Sequence, residues 1–380
     1  MGEAIIDRAV QQHRSARWVI PEDFISRAHF DRVLQKLDMQ SSPGYPYCVR
    51  IPVNAHLFGV NADGEKDPDA VERVWEAVQH RLGKLLDGEE DCDPIRLFIK
   101  PEPLKEKKLT EHRYRIISSV SIVDQIIDHL LFDDMNETMY ANWHNVPSMV
   151  GWSPFVGGWK VMPKLKWLAI DKSSWDWTVH KWILDQCLEL RTRLCDNMNA
   201  AWLKLARARY HLLYDNPVLV TSGGVLLRQK TPGVMKSGCV NTIADNSIAQ
   251  YLLDLRVCFE IGLTPGYLMS MGDDTLQQKP RDLQKYLDAL SSFCIVKQAT
   301  EANEFAGMLF NGRNVEPLYH GKHACTILHA KPEILEELAD AYTLLYHRSK
   351  FRNWFENLFT AMGIDFHPRW KRDAIYDGED

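Results

Sequence analysis

The chain has 380 residues, of which 45% are hydrophobic and 25% are charged, and this composition excludes a chain that is disordered throughout. Its formal net charge of −6 excludes a uniformly basic nucleic-acid binder, so a phosphate-binding surface would have to be local. The eight cysteines show neither a Cys-x-x-Cys pair nor zinc-ligand spacing, which predicts reduced thiols in a cytosolic protein. Because no secretory leader and no apolar run of about 18 residues is present, we expect no transmembrane segment.

Hydrophobic periodicity along the chain predicts a mixture of helices and strands, an α+β protein. The first 40 residues predict amphipathic helix, residues 41–46 (SSPGYP) a rigid loop, and residues 70–87 a helix. The later elements are predicted, in chain order, as a strand and a helix within 116–140, a buried strand at 167–170, a long helical stretch at 180–212, a hairpin at 218–227, a helix at 239–260, two strands at 267–271 and 275–278, and helices at 281–292, 332–347 and 351–362.

A window from Arg96 to Arg115 is locally basic although the chain as a whole is acidic. Arg113 and Arg115 alternate near its end, and alternate positions of a strand share one face of a sheet. Guanidinium groups on one face can bind a triphosphate through paired hydrogen bonds. The alternative interpretation is a solvated charged hairpin.

Carboxylates occur at two positions that a purely structural core would not favour. Asp171 ends the apolar strand 167–170, and Asp273 and Asp274 follow Gly272 at the tip of a predicted hairpin. Adjacent carboxylates repel each other unless a divalent cation, which prefers oxygen ligands, neutralises them. In-line phosphoryl transfer uses two such ions, one to activate the attacking hydroxyl and one to stabilise the leaving pyrophosphate. Either segment alone is also typical of a solvated surface turn.

Between these acidic segments, Ser237 and Gly238 lead into the predicted helix at 239–260. Gly238, Thr242 and Asn246 are four residues apart and share one helix face, which lets polar side chains reach a ribose or a template backbone. The alternative is an ordinary helix N-cap at Ser237 followed by a packing face of small residues.

The order and spacing of these four segments resemble the viral RNA-dependent RNA polymerases, in which they correspond to motifs F, A, B and C. Residues 41–46 resemble motif G, and Lys297 stands where motif D places its lysine. Residues 304–307 (EFAG) resemble motif E, with Ala306 where relatives often have Cys. The resemblance therefore covers about residues 41–310.

The residue pattern of the basic window is most similar to that of the polymerases of sobemoviruses, poleroviruses and their invertebrate-associated relatives. The shared residues are 100–103 (KPEP), 113–121 (RYRIISSVS) and Asp124-Gln125. This resemblance implies a right-hand fold with fingers, palm and thumb and an antiparallel palm sheet. The implied divisions are fingers over 1–165, including the loop at 41–46 where template enters and the hairpin at 96–116 where NTPs enter, a palm over 166–310 with a fingers insert at about 177–235, and a small helical thumb over 311–380.

The resemblance also implies roles for individual residues. Those for metal binding and catalysis are Asp171, Lys172 through its carbonyl, Asp273, Asp274 and Lys297, with Lys297 protonating the leaving pyrophosphate. Those for substrate binding are Lys100, Arg113 and Arg115 at the triphosphate, and Asp176, Ser237, Thr242 and Asn246 at the ribose 2′-hydroxyl. The implied cofactor is a pair of Mg²⁺ ions, with Mn²⁺ as a substitute.

The implied partners are NTPs, the RNA template and product, a viral protein primer and other replication proteins. The implied location is the host-cell cytoplasm, in membrane-associated replication complexes, and both de novo and protein-primed initiation stay open. A reverse transcriptase is one alternative, although it usually has an aromatic side chain in place of Asp176. The others are an inactive RNA-binding subunit, which the intact aspartates disfavour, and a structural protein with a chance Gly-Asp-Asp.

Overall fold

The computed structural model describes residues 1–378 as helices that surround three sheets. The α-helices are α1 (Gly2–Gln12), α2 (Arg27–Lys36), α3 (Asn54–Leu57), α4 (Pro68–Asp87), α5 (Glu106–Thr110), α6 (Ile122–Ala141), α7 (Trp175–Thr178), α8 (Lys181–Leu194), α9 (Ala200–Tyr214), α10 (Thr242–Ile261), α11 (Leu283–Leu290), α12 (His320–Leu328), α13 (Leu335–Leu345), α14 (Arg352–Ala361) and α15 (Arg369–Asp377). The strands are β1 (Ile95–Ile99), β2 (Ile116–Ser119), β3 (Leu168–Ser173), β4 (Val218–Thr221), β5 (Leu226–Arg228), β6 (Leu268–Met271), β7 (Asp274–Gln277), β8 (Ile295–Thr300), β9 (Glu304–Phe305), β10 (Met308–Asn311) and β11 (Asn314–Pro317).

The central sheet has the strand order β6-β7-β3-β8, and each pair in it is antiparallel. A second sheet, β2-β1-β4-β5, joins the basic window to the hairpin predicted at 218–227 through the parallel pair β1 and β4. The third sheet is the antiparallel meander β9-β10-β11. The predicted α+β class and the two strands around Gly272 are therefore confirmed.

Helix α10 lies at the centre of the main hydrophobic core and is buried around its circumference over most of its length. It packs against α1, α8, α11 and β6. Its buried residues are mostly apolar, and its buried polar residues, such as Asp245 and Asp254, make hydrogen bonds inside the protein. Because α10 packs against β6, it fixes the position of the β6–β7 hairpin, which carries the predicted catalytic residues Asp273 and Asp274.

Charged side chains are buried inside this helical core, and each of them has a partner. Asp245 on α10 accepts hydrogen bonds from Arg191 on α8 at 2.8 Å and from the Tyr210 hydroxyl on α9 at 2.6 Å. Arg209, also on α9, donates to Asp124 at 2.8 Å and to Asp128 at 2.6 Å, both on α6. Since a buried charge is tolerated only when it is paired, these contacts fix how α6, α8, α9 and α10 pack together.

We expect Arg209→Met to lower the free energy of unfolding by about 3–5 kcal/mol, because Asp124 and Asp128 would lose their shared buried cation. Arg207→Met is the matched control, since Arg207 is exposed on the same helix. Urea denaturation of both variants measures the difference. Equal stability of the two variants would show that the buried carboxylates do not depend on Arg209.

Two of the sequence predictions need correction in the helical region. The stretch at 180–212 is two helices, α8 and α9, because the Asn199 side chain caps a new helix by accepting a hydrogen bond from the Trp202 amide at 2.8 Å. The helix predicted from residue 239 begins at Thr242. Elements that hydrophobic periodicity missed are α3, α5, α7, α12, α15 and β8 to β11.

The missed elements are short or lack an apolar stripe, as in β8, whose residues show no regular alternation of burial. Within residues 1–378, no helix combines the length and the apolar content that crossing a bilayer requires. The division into fingers, palm and thumb by residue number stays a prediction.

Candidate active site

One end of the central sheet gathers the three predicted catalytic aspartates. Strands β3 and β7 pair through Ile170 opposite Thr275, and the next step of that register places Asp171 across from Asp274. Adjacent strands lie about 4.7–4.9 Å apart, so the topology brings these carboxylates together. Gly272 has φ +62°, which is the left-handed backbone that the turn before Asp273 requires.

Lys297 reaches this end of the sheet through a bulge in the edge strand β8. Asp171 pairs with Gln298 and Lys172 pairs with Val296, so Lys297 is the extra residue of β8. Its Nζ lies 2.5 Å from the Asp171 carboxylate, and both side chains are more than half exposed. A bulge re-aims a side chain next to an active site, and here it turns the predicted general acid towards a predicted metal ligand.

The electrostatic surroundings of the three aspartates are strongly negative. Asp274 remains accessible to solvent, but desolvation in the cleft, followed by the charges of Asp273 and Asp171, raises its pKa to about 6. Lys172 points to the other face of β3, where burial lowers the pKa of its ammonium group. Its Nζ donates a hydrogen bond to Thr275 Oγ1 at 3.2 Å, so only its backbone can face the aspartates.

Divalent cations fit this donor set, because carboxylate oxygens are the ligands that Mg²⁺ and Mn²⁺ prefer. Desolvation, and then the charges of Asp273 and Asp171, raise the pKa of Asp274, and a bound cation would oppose both effects. Across the described part of the chain, no three His, Cys, Asp or Glu side chains already form a closed metal cluster. Only Oδ2 of Asp171 contacts Lys297, which leaves Oδ1 without a hydrogen-bond partner among the described residues.

Asp176 and Asn246, predicted together at the ribose, are in direct contact. The Asn246 side-chain amide donates to Asp176 Oδ1 at 2.9 Å, and its carbonyl oxygen accepts from Trp175 Nε1 at 2.9 Å. Desolvation raises the pKa of Asp176, the nearby charge of Asp273 adds to this, and Arg115 opposes it. Asp176 therefore lies within electrostatic range of both the catalytic hairpin and the basic window.

The other two predicted ribose ligands have hydroxyls that contact backbone. Ser237 Oγ accepts a hydrogen bond from the Ser118 amide of β2 at 3.0 Å. Thr242 Oγ1 donates to the carbonyl oxygens of Lys236 and Cys239, both at 2.7 Å. The alternative of an N-cap at Ser237 is wrong, because α10 begins four residues later than that capping position requires. A ribose role for Ser237 and Thr242 stays a prediction.

Gly238 attaches this loop to the basic window. Its amide donates to the Ser118 carbonyl oxygen at 3.0 Å, and a Cβ atom built on Gly238 would lie 2.4 Å from that oxygen. We expect Gly238→Ala to lower the free energy of unfolding by about 1–3 kcal/mol, because the two backbones would have to separate. Gly83→Ala is the control, since the added methyl meets nothing within 4 Å. Equal melting curves for the two variants in calorimetry would contradict this close contact.

The basic window forms a hairpin of β1 and β2 with α5 between them. Lys100 Nζ and Arg115 Nη1 lie 3.7 Å and 3.4 Å from the Glu102 carboxylate, and Arg113 lies 3.1 Å from Glu111. The expected strand alternation of the two arginines is wrong, because β2 begins only at Ile116. The charge of Arg115 lowers the pKa of Asp176, which places Arg115 near the predicted ribose site. Arg113 is exposed and contacts Glu111 instead.

The loop at 41–46 lies against the start of α6. Gly44 has φ +70°, and a Cβ atom on it would lie 2.5 Å from the Val120 carbonyl oxygen. The Ile122 amide donates to the Pro43 carbonyl oxygen at 2.8 Å. The loop therefore packs directly next to β2, the strand that also contacts Gly238.

Sequence reasoning missed two residues beside the site. Lys236 is buried, which lowers its pKa to about 8, and its Nζ donates to Gln229 at 2.8 Å while its charge lowers the pKa of Asp176. The ring of Tyr319 lies against Gly307, and after desolvation the charges of the three predicted catalytic aspartates raise its pKa. A lysine in a loop and a tyrosine after a strand carry no local signal that would reveal these positions.

Comparisons with known proteins agree with this geometry. The sequence matches the family described as viral RNA-dependent RNA polymerase over residues 15–294. Protein P1-P2 of Potato leafroll virus is 34% identical over 281 residues, which cover 67% of this chain and 26% of that protein. The RNA-directed RNA polymerase of Mushroom bacilliform virus is 27% identical over 305 residues, which cover 72% of this chain and 70% of the relative.

Among solved structures, the Sicinivirus 3Dpol RNA dependent RNA polymerase matches with a TM-score of 0.69 at 16% sequence identity, covering 98% of this chain and 84% of that one. This likeness confirms the predicted right-hand fold class. The chain spans about a quarter of the length of P1-P2, the first of these relatives. Other matches are to sobemovirus and enamovirus replicase proteins, in agreement with the group indicated by the residue pattern of the basic window. The chain therefore belongs to the viral RNA-dependent RNA polymerase family, within the group that includes the polerovirus and sobemovirus proteins.

Proposed function

We propose that the chain catalyses template-directed synthesis of RNA from ribonucleoside triphosphates by two-metal nucleotidyl transfer, for replication and transcription of a viral genome. The observation that carries this proposal is the arrangement of Asp171 and the Gly272-Asp273-Asp274 turn at one end of the central sheet. The polymerase named in the Mushroom bacilliform virus relative supports the same reaction class.

Asp171 and Asp273 would hold two Mg²⁺ ions, or Mn²⁺ in their place, with help from Asp274 and the Lys172 carbonyl. When bound, the ions would lower the pKa of the attacking 3′-hydroxyl and stabilise the charge of the leaving pyrophosphate. Asp171 lies on β3 and Asp273 lies in the turn that joins β6 to β7, so the pairing of β7 with β3 brings the two carboxylates to the same end of the sheet. Asp171 contacts Lys297 through Oδ2 alone, so its second oxygen could serve as a ligand.

Once released from Asp171, Lys297 would direct its ammonium group towards the departing pyrophosphate and give it a proton. The bulge in β8 supports this role. It leaves Lys297 without a partner residue on β3 and lets its side chain point towards Asp171. The Asp171–Lys297 pair is exposed, so the ion pair contributes only about 0–1 kcal/mol and can be exchanged at little cost.

Lys100, Arg113 and Arg115 would bind the triphosphate of the incoming nucleotide. Lys100 and Arg115 are exposed and share the mostly buried carboxylate of Glu102 at 3.7 Å and 3.4 Å, so their remaining donors face solvent, where a triphosphate could bind. Asp176 and Asn246 would contact the ribose 2′-hydroxyl, helped by Ser237 and Thr242.

The RNA template and product and the NTPs would be the substrates and partners of this reaction. A viral protein primer and other replication proteins are further proposed partners, in membrane-associated replication complexes of the host-cell cytoplasm. All eight cysteines are free thiols, which supports a reducing compartment.

RNA synthesis by the purified chain on a defined RNA template tests the proposed function. Reactions contain Mg²⁺ or Mn²⁺, rNTPs or dNTPs, and either a primer or none. Incorporation of rNTPs into a template-complementary product supports the proposal, and the primer-free reaction reports on de novo initiation. Preferential use of dNTPs would favour a reverse transcriptase, and no synthesis under any of these conditions would favour an inactive RNA-binding subunit.

A further inference from the structure

A second cluster of cations lies among the C-terminal elements, apart from the basic window. It surrounds a cavity of about 370 Å³ that we call the C-terminal basic cavity, lined by Arg313, Arg348, Lys350, Arg352 and Arg369. These residues come from the β10–β11 turn, the segment between α13 and α14, the start of α14 and the start of α15. Five cations from four separate segments are brought to one cavity only by the fold.

The carboxylates at this cavity are already occupied by other groups. Glu316 accepts hydrogen bonds from the Ser349 hydroxyl at 2.6 Å and from the Lys350 amide at 2.7 Å. Asp373 accepts one from His347 Nε2 at 2.7 Å. The acids therefore make their hydrogen bonds to Ser349, to the Lys350 amide and to His347, while the charge of Asp373 also acts on Arg348 and Arg369 at longer range.

Among residues 1–378, four of the five cations have no carboxylate oxygen within 4.0 Å. Arg348 is ion-paired with Asp377, whereas no ion pair involves the other four cations, which are Arg313, Lys350, Arg352 and Arg369. Like charges confined to one concave surface raise its electrostatic potential and attract anions. An anionic ligand would relieve the repulsion among these four side chains.

The residues that line the cavity are all charged or polar, which favours a small, highly charged anion. Among the described residues that line it, none has an aliphatic side chain and only His347 has an aromatic ring, which is buried. Such a wall offers a nucleobase no exposed aromatic ring, whereas its guanidinium groups match phosphate oxygens through paired hydrogen bonds. We propose that the C-terminal basic cavity binds a condensed phosphate, either that of a free nucleotide or pyrophosphate or that of an RNA 5′-triphosphate end.

This site is separate from the proposed catalytic centre. In the β10–β11 hairpin, the end with Asn311 opposite Asn314 lies at the cavity. The end with Met308 opposite Pro317 leads to Gly307 and Tyr319, beside the aspartates. The hairpin lines the cavity with Arg313, Asn314 and Glu316, and the lining includes none of Asp171, Asp273 and Asp274, so the two places are formed by different residues. The inference goes beyond the proposed function and does not depend on it.

Calorimetric titration of the full chain with inorganic tripolyphosphate, without divalent cations, tests the proposal. The parent protein carries Arg113→Gln and Arg115→Gln, so that the basic window contributes little. Adding Arg313→Gln and Arg369→Gln should weaken binding by about tenfold to a hundredfold, since each charge-assisted contact contributes strongly. The matched pair Arg73→Gln and Arg207→Gln, both exposed on distant helices, should leave binding unchanged.

Binding that is equal in the parent and in the Arg313 and Arg369 variant would overturn the proposal, as would a parent that does not bind tripolyphosphate. Circular dichroism verifies the fold of each variant, and Lys350→Gln with Arg352→Gln provides a second cavity variant if the first does not fold. Two further titrations identify the source of the phosphate. One uses a nucleoside triphosphate, and the other compares RNAs of one sequence with a 5′-triphosphate or a 5′-hydroxyl. Dependence on Arg313 and Arg369 in either titration supports the site and names its ligand.

Discussion

Asp273→Ala is expected to reduce RNA synthesis by about a thousandfold or more while leaving the fold intact. Asp273 is exposed in the turn after Gly272, and no hydrogen bond or ion pair involves its side chain within residues 1–378. Its loss therefore removes no structural contact, but it removes a carboxylate that both ions would share. Several kcal/mol of transition-state stabilisation depend on such an ion, and each 1.4 kcal/mol changes the rate about tenfold.

The measurement is primer extension by the variant under single-turnover conditions, together with its melting temperature. Asp63→Ala is the matched control, because Asp63 is also an exposed aspartate in a turn. We expect the melting temperature of Asp273→Ala to equal or exceed that of the unmodified chain, since removing one charge relieves its repulsion of Asp274. Substantial synthesis by Asp273→Ala would show that the metal assignment is wrong.

Local patterns in the sequence predict the elements that carry the aspartates. The buried strand before Asp171 and the two strands around Gly272 follow from a short apolar run, a glycine and a flanking pair of acids. Their convergence at one end of a sheet is not local, and it came from the resemblance to a polymerase family. The confirmed fold shows that four weak motifs in the right order carry far more information than any one of them.

Contacts between distant segments account for most of what the sequence could not predict. Lys297 meets Asp171 only because a bulge in β8 changes the direction of its side chain, and a bulge has no compositional signature. Arg209 reaches two buried carboxylates, although its position on α9 suggests an ordinary polar side chain. The cations of the C-terminal basic cavity are likewise dispersed between residues 313 and 369, so no charge run marks them.

Asp176→Ala is expected to reduce the preference for rNTPs over dNTPs by about tenfold or more. A site that hydrogen-bonds a substrate hydroxyl rejects the analogue without it, because the buried polar groups of the site are then left unpaired. Asp176 and Asn246 form such a pair, and Trp175 holds the Asn246 carbonyl oxygen so that the amide must face Asp176.

Asn246→Ala should have a similar effect, and the double variant should lose little more than either single one, because residues that act as one unit are not additive. The measurement is kcat/KM for matched rNTP and dNTP pairs, with Asp63→Ala as the control. A purely structural role would lower kcat/KM for both sugars equally, whereas a ribose-reading role changes their ratio. An unchanged rNTP-to-dNTP ratio in both single variants would show that Asp176 and Asn246 do not select the sugar. The choice between an RNA polymerase and a reverse transcriptase would then depend only on which product the chain makes.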